Sequence, residues 1–404
     1  MDKLSFGAIA VVVFMIPWEE MAQIPGMRTL IFVAAALAFG LSLLGIVFRL
    51  SVKRLPAAMV FLALFVAWSF LSLSWSLNDE QTWIRSTTYL YLFLFAWMIW
   101  EFADSPIRQQ WLMVAYLLGC CVCMAMQITA FALGTARGFR ITGGEANVNN
   151  LATMLAIGIA MAAYLAARTS AKHKLLRNIY WAFIPTAGLS IFLTGSRGGV
   201  VALAIVVVMT MWAMRLGGWK AIVLFLLVVG AGAYYVPRIL PSDLKERVTS
   251  TEVGTLAVRF NLWNAGITVW SERPLIGVGS GAFITATEGI ANRPGVAHNT
   301  CIAILTENGA IGLALKLGAW SLLLLGVWAM PRQERLLWLT AFAVWAAVSL
   351  KGDLQTLKIT WLLYAMIMAQ ARSLQAIHGK VPRVSAMYRR MVPVKPRYPE
   401  GFPP

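Results

Sequence analysis

Charged residues are scarce in this 404-residue chain: Asp, Glu, Lys and Arg together make up 13% of it, about half the ~25% of an ordinary soluble domain. With 59% hydrophobic residues and a mean hydropathy of +0.72, too little polar surface remains to clothe soluble domains, and the chain reads as an integral membrane protein. Acidic residues are scarcest, 17 against 34 Lys and Arg, and there are only three histidines and four cysteines. No His, Cys, Asp or Glu cluster has metal-ligand spacing, and no phosphate-binding loop ending in Lys-Ser or Lys-Thr occurs. No metal and no cofactor is therefore expected. Gly277-x-Gly279-x-Gly281 superficially resembles a dinucleotide loop, but no strand–helix unit surrounds it, and it reads as a flexible turn. Cys120, Cys121 and Cys123 lie inside one apolar run and Cys301 begins another, so they read as packing residues, not a disulfide framework.

What the chain has in quantity is apolar length. A helix crosses a bilayer with ~20 predominantly apolar residues, and about twelve segments qualify, some of them short: 5–17, 29–48, 56–75, 83–100, 111–133, 151–166, 179–193, 199–214, 221–236, 300–330, 336–350 and 357–371. The expectation is an all-α polytopic membrane protein: one transmembrane domain over 1–376, and a basic, Pro-rich cytoplasmic tail over 377–404 that is disordered from Met391 to Pro404. The first span runs into Pro17-Trp18-Glu19-Glu20 without a small-residue cleavage site, which reads as a retained helix.

An excess of positive charge in a soluble protein would point to nucleic acid. In a polytopic protein it first reports sidedness, because cytoplasmic loops gather Lys and Arg. Placing the amino terminus in the cytoplasm puts most of the 34 basic residues there, including Arg49, Lys53, Arg54, Lys172, Lys174 and the tail, with both termini inside. No nucleic-acid partner is expected. Many of the basic residues left on the outer face sit in three places: Arg137 and Arg140 within 134–150, Arg197 at a tight turn, and the long loop 237–299 between the ninth and tenth spans. Loops of that length tend to be functional or disordered. This one is patterned, with Val258, Leu262, Ala265 and Val269 at the spacing of one helical face and Arg259 and Trp263 on an adjacent one. A re-entrant or membrane-surface helix is expected.

Three residues stand out chemically. Arg197, in Thr194-Gly195-Ser196-Arg197-Gly198-Gly199, places a guanidinium at membrane depth, where it costs at least ~2.5 kcal/mol. Its planar fork of donors matches phosphate oxygens, although an arginine at a hairpin turn can also simply snorkel to the interface. Arg259 lies on the expected interfacial helix, where it can equally face lipid phosphates. His298 alone of the histidines lies beside these arginines. With an ordinary pKa near ~6.5 it suits proton transfer from a hydroxyl, while a histidine at a helix start can also serve as its cap. Glu307-Asn308-Gly309 can bend the following span, and Glu307 can orient a polar network or pair with Lys316.

Taken in order, Leu193-Thr194-Gly195-Ser196-Arg197-Gly198-Gly199, Arg259-Phe260-Asn261-Leu262-Trp263 with Pro274-Leu275-Ile276-Gly277-Val278-Gly279, and His298-Asn299 with Glu307-Asn308-Gly309-Ala310-Ile311-Gly312 resemble the bacterial O-antigen ligase and polymerase superfamily. Arg140-Ile141-Thr142-Gly143 and Asn147-Val148-Asn149-Asn150 are similar to a further segment of that family, with Val148 where the family has proline. The likeness covers roughly residues 135–330. It implies a GT-C-like glycosyltransferase of the bacterial inner membrane that moves a glycan from undecaprenyl diphosphate to an acceptor hydroxyl at the periplasmic face, without a metal and with inversion. Carried onto this chain, Arg197 and Arg259 hold the donor diphosphate, His298 positions or deprotonates the acceptor, Arg140, Asn149 and Asn299 line the donor or glycan side, and Glu307 supports them. The acceptor is lipid A-core for a ligase, or a second lipid-linked repeat unit for a polymerase; the long outer loop leans to the ligase. A lipid-linked glycan flippase or transporter is the rival from another class, disfavoured because the two halves show no internal repeat.

Overall fold

A computed structural model describes residues 1–19, 27–133, 147–213 and 253–377. Its helices are α1 (Asp2–Met15), α2 (Met27–Arg49), α3 (Ala57–Leu71) continued by a 3-10 turn (Ser72–Trp75), α4 (Asp79–Phe102), α5 (Pro106–Ala132), α6 (Val148–Arg168), α7 (Lys174–Leu193) and α8 (Arg197–Ala213). After the break come α9 (Val253–Glu272), the short α10 (Phe283–Thr287), α11 (Thr300–Trp328), α12 (Arg332–Ser349) and α13 (Lys358–Ile377). Among the described residues there is no strand. Every apolar run read as a span coincides with a helix except 221–236, which lies outside the described residues. Ile31–Arg49, Ala57–Trp75, Pro106–Ala130, Val148–Arg168 and Thr300–Trp328 are long and apolar enough to cross a membrane, and the protein is a multi-pass membrane protein.

Local chemistry sets the helix starts. Asn78 Oδ1 accepts the Gln81 amide at 3.0 Å, with Asp79 and Glu80 in the first turn of α4, where carboxylates complement the helix dipole. Ser196 Oγ accepts the Gly199 amide at 3.0 Å at the start of α8. Burial then sorts the helices. Nearly every residue of α6 is buried, and Ala152, Ala156, Gly158 and Ala162 on its surface let α7, α8 and α12 pack closely. By contrast α2 exposes Phe32, Leu37, Val47 and Phe48, a face suited to lipid.

Polar contacts fix the ends of the bundle. Arg168 Nη1 donates to Glu334 Oε1 at 2.7 Å and Arg332 Nη2 to the Trp212 carbonyl at 3.1 Å. The start of α12 therefore meets the ends of α6 and α8, and the starts of α6 and α8 lie at the end where α12 finishes. The Arg168 end also carries the ion pairs of Arg49 with Glu101 and of Lys53 and Arg108 with Asp104.

One sequence expectation is corrected. The glycines 277–281 are not a flexible turn. They are docked against a break in α11, where Gly309 is non-helical (φ 67, ψ −171). Val278 and Gly279 amides donate to the Thr306 and Glu307 carbonyls at 3.1 and 2.9 Å, and the Ala310 amide donates to the Pro274 carbonyl at 2.8 Å. A Cβ at Gly277 or Gly309 would collide with the facing backbone, so close approach, together with positive φ, accounts for both glycines. The carbonyls and amides that the break leaves without intrahelical partners are met by this segment. That complementarity is long-range and could not be read locally.

Candidate functional site

The site is assembled where α9, the 288–299 segment and the start of α11 meet. Leu262, Ala265 and Val269 are buried as the helical spacing predicts, while Val258 is exposed. The adjacent face carries Arg259, half-buried, and one turn later Trp263, whose Nε1 donates to the Ala297 carbonyl at 2.7 Å. That bond anchors the residue before His298. His298 itself has φ 49, the left-handed region, shared among described non-glycine residues only with Leu50. Such a backbone costs on the order of 1 kcal/mol and persists where surrounding structure enforces it, often at functional sites. The cap of α11 is Asn299, not His298: its Oδ1 accepts the Ile302 amide at 3.1 Å, and its Nδ2 donates to the Leu350 carbonyl at 3.4 Å. Burial, and then the Arg259 charge, hold the half-buried His298 below its ordinary pKa, with Asp353 acting in the opposite direction.

Asp353 was not singled out by the sequence. It sits on the loop after α12, tied to the start of α11 because Thr300 Oγ1 donates to the Gly352 carbonyl at 3.0 Å and accepts the Leu354 amide at 3.1 Å. Arg85 of α4 donates to Asp353 Oδ2 at 3.2 Å. Arg85, an arginine inside the apolar run 83–100, carries the same sequence signal as Arg197. Glu307 is buried under the docked glycine segment, facing the backbone amides of Gly281 and Phe283 and the charge of Arg85, while its Oε2 lacks a hydrogen-bond partner. It does not pair with Lys316. The lysine ammonium lies instead over the rings of Phe65, Trp361 and Tyr89.

Arg197 opens α8 and is exposed, not buried as its setting in the sequence suggested. It stands at the amino end of α8, where the helix dipole and the first backbone amides favour an anion. The preceding residue joins two helix starts: Ser196 Oγ donates to Asn149 Oδ1 at 2.6 Å, and the Asn149 amide donates to Asn147 Oδ1 at 2.9 Å. The amino ends of α6 and α8 are thus locked together, at the end of the bundle that also holds Leu350 and its partner Asn299. So the structure brings His298 close to Arg259, joins Asn149 to the Arg197 turn, and sets both groups at one end. Arg140 lies outside the described residues.

Residues 181–317 match a family model described as O-antigen ligase. The resemblance to the O-antigen ligase and polymerase superfamily is thereby shown. Among curated proteins none matches the chain. The O-antigen ligase match takes in Arg197, Arg259, His298, Glu307 and Lys316, whereas Asn149, Arg85 and Asp353 reach the same end of the bundle from outside it. The matched segment is about a third of the chain, and it supports kinship with O-antigen ligase-type membrane glycosyltransferases. Among the described residues no group of three His, Cys, Asp or Glu side chains could hold a metal ion.

Proposed function

We propose that this protein transfers a glycan from undecaprenyl diphosphate to an acceptor hydroxyl at the periplasmic face of the inner membrane, and that the acceptor is the lipid A-core sugar. The observation that carries this reading is the pairing of His298, in a left-handed backbone and held toward its neutral form, with Arg259 inside the O-antigen ligase match. A neutral imidazole accepts the proton as the acceptor oxygen attacks the anomeric carbon. The bond from that carbon to the diphosphate oxygen breaks on the opposite face, so configuration inverts, and the electron pair leaves on the diphosphate. Arg259 and Arg197 stabilise that growing charge as fixed cations, with no solvent reorganisation needed during reaction. Asn149 and Asn299 hold the helix starts that frame the donor and acceptor sides, Glu307 supports the turn above them, and Arg140 joins the donor side.

The test is a deletion strain complemented with single variants and examined by gel analysis of its glycans. Arg197→Ala and His298→Ala are expected to be inserted and abundant yet to leave rough lipopolysaccharide with unattached polymer. One-repeat chains would instead identify a polymerase, and units stalled on the inner leaflet a flippase. Normal glycosylation by a well-expressed His298→Ala variant would remove the proton-acceptor role. With purified protein, transfer is expected to continue after exhaustive chelation.

A further inference from the structure

Lys316 is buried in the interior of α11, with 1% exposure. Its Nζ lies 4.2 Å from the centroid of Phe65, 4.8 Å from Trp361 and 5.6 Å from Tyr89. Three desolvated ring contacts favour a cation by ~2 kcal/mol each at most, while removing an ammonium from water costs several kcal/mol. No carboxylate forms an ion pair with it among the described residues, and the charge that acts on it is Asp353. An apolar side chain of the same length would serve packing better, so the charge calls for another reason.

The rings supply that reason. Tyr89 OH donates to Gln355 Oε1 at 3.1 Å, and Trp361 Nε1 donates to the Gln355 carbonyl at 2.8 Å. The Gln355 amide in turn donates to Asp353 Oδ1 at 3.2 Å. Two of the three rings around the ammonium therefore grip the residue that holds the Asp353 carboxylate, whose charge reaches His298. We propose that Lys316 is a positioning residue: its ammonium fixes the Tyr89 and Trp361 rings, through them Gln355, and so holds the Asp353 carboxylate on the loop that Thr300 ties to the start of α11, two residues from His298. It touches no reacting atom. Among the described residues, the charged groups facing His298 are Arg259 from α9 and Asp353 from the 350–357 loop; those facing Lys316 are Asp353 and, with its polar ring, Tyr89 of α4.

The experiment titrates His298 in the purified full chain, reading diethyl pyrocarbonate modification against pH by peptide mass mapping, which separates His298 from His173 and His378. Lys316→Met removes the charge and keeps the length; Trp361→Phe keeps a ring over the ammonium and removes the donor to Gln355. Both variants are expected to shift the His298 midpoint downward, because Asp353 then relaxes away and no longer favours the imidazolium. Mere loss of a positive charge would shift it upward. Lys316→Met is also expected to melt no lower than the parent. Should it fail to fold, Trp361→Phe carries the titration alone. A midpoint at or above that of the parent in a folded variant overturns the proposal. Where transfer is measured, which rests on the function proposed above, kcat should fall by roughly tenfold to a hundredfold with donor KM unchanged; an unchanged kcat overturns it too. The titration needs no substrate, so it still decides the role of Lys316 if the parent transfers no glycan.

Discussion

His298 carries the sharpest residue-scale prediction. To accept a proton the imidazole must be neutral, and burial together with Arg259 disfavours the charged form. The acid limb of the pH–rate profile should therefore lie below the ordinary histidine value of ~6.5, with transfer lost only as pH falls through that lowered midpoint. Asp353 pulls the other way, so Asp353→Asn should move the limb further toward acid, read from kcat/KM across pH 4.5–8, roughly the range over which histidine changes charge. A limb unmoved by Asp353→Asn would detach the carboxylate from the imidazole. The legibility of these residues differs for physical reasons. His298 is marked by the rarity of histidine, and Arg197 and Arg259 by charge beside apolar sequence. Asp353 has no such local mark: Lys351-Gly352-Asp353-Leu354 reads as an ordinary polar turn, and only the bonds from Thr300 and Arg85 bring it to the site. Arg85 was legible by the rule applied to Arg197, because it interrupts an apolar run.

At the scale of elements, the apolar runs identify the described helices well, since ~20 apolar residues and a 3.6-residue period are local properties. The break in α11 was also foreseeable from Glu307-Asn308-Gly309. What fills the break was not. Segment 273–282 docks by backbone hydrogen bonds, which any sequence of suitable shape can make, and glycines alone do not distinguish a mobile turn from a fitted one. Trp68 Nε1 donating to the Asn308 carbonyl at 3.0 Å, and Ser69 Oγ donating to Ser280 Oγ at 2.7 Å, extend the junction to α3. Gly309→Ala places a side chain against the Leu275 backbone in a left-handed conformation, which costs roughly 1–2 kcal/mol for the conformation alone, with the collision added. Thermal unfolding followed by tryptophan fluorescence should show a clearly lowered Tm. Gly326→Ala, at a helical glycine with open space around it, is expected to keep the parent Tm or exceed it. Equal Tm values for the two variants would show that the junction does not constrain the bundle.

For the whole molecule, charge and packing separate two ends. The end with Arg49, Lys53, Arg108 and Arg168 pairs these four cations with Glu101, Asp104 and Glu334 and still keeps an excess of basic residues. Exposed Lys172, in the loop following Arg168, and Lys174, at the start of α7, lie at that end, as the accumulation of basic residues on the cytoplasmic side favours. At the other end Arg85 pairs with Asp353 and Lys358 with Glu19, and the arginines of the candidate site lie beside His298 and the start of α8. A donor diphosphate would approach from there, and the chemistry proposed here requires that end to face the periplasm. Single cysteines decide the orientation in a chain whose four native cysteines are replaced. Glu288→Cys, exposed just beyond α10, should react with a membrane-impermeant maleimide when only the outer membrane is breached, and Lys172→Cys should react only after the inner membrane is opened. The reverse pattern would turn the candidate site toward the cytoplasm, where the lipid-linked glycan is not presented for ligation, and would end the glycan-transfer reading whatever the residues around His298 can do.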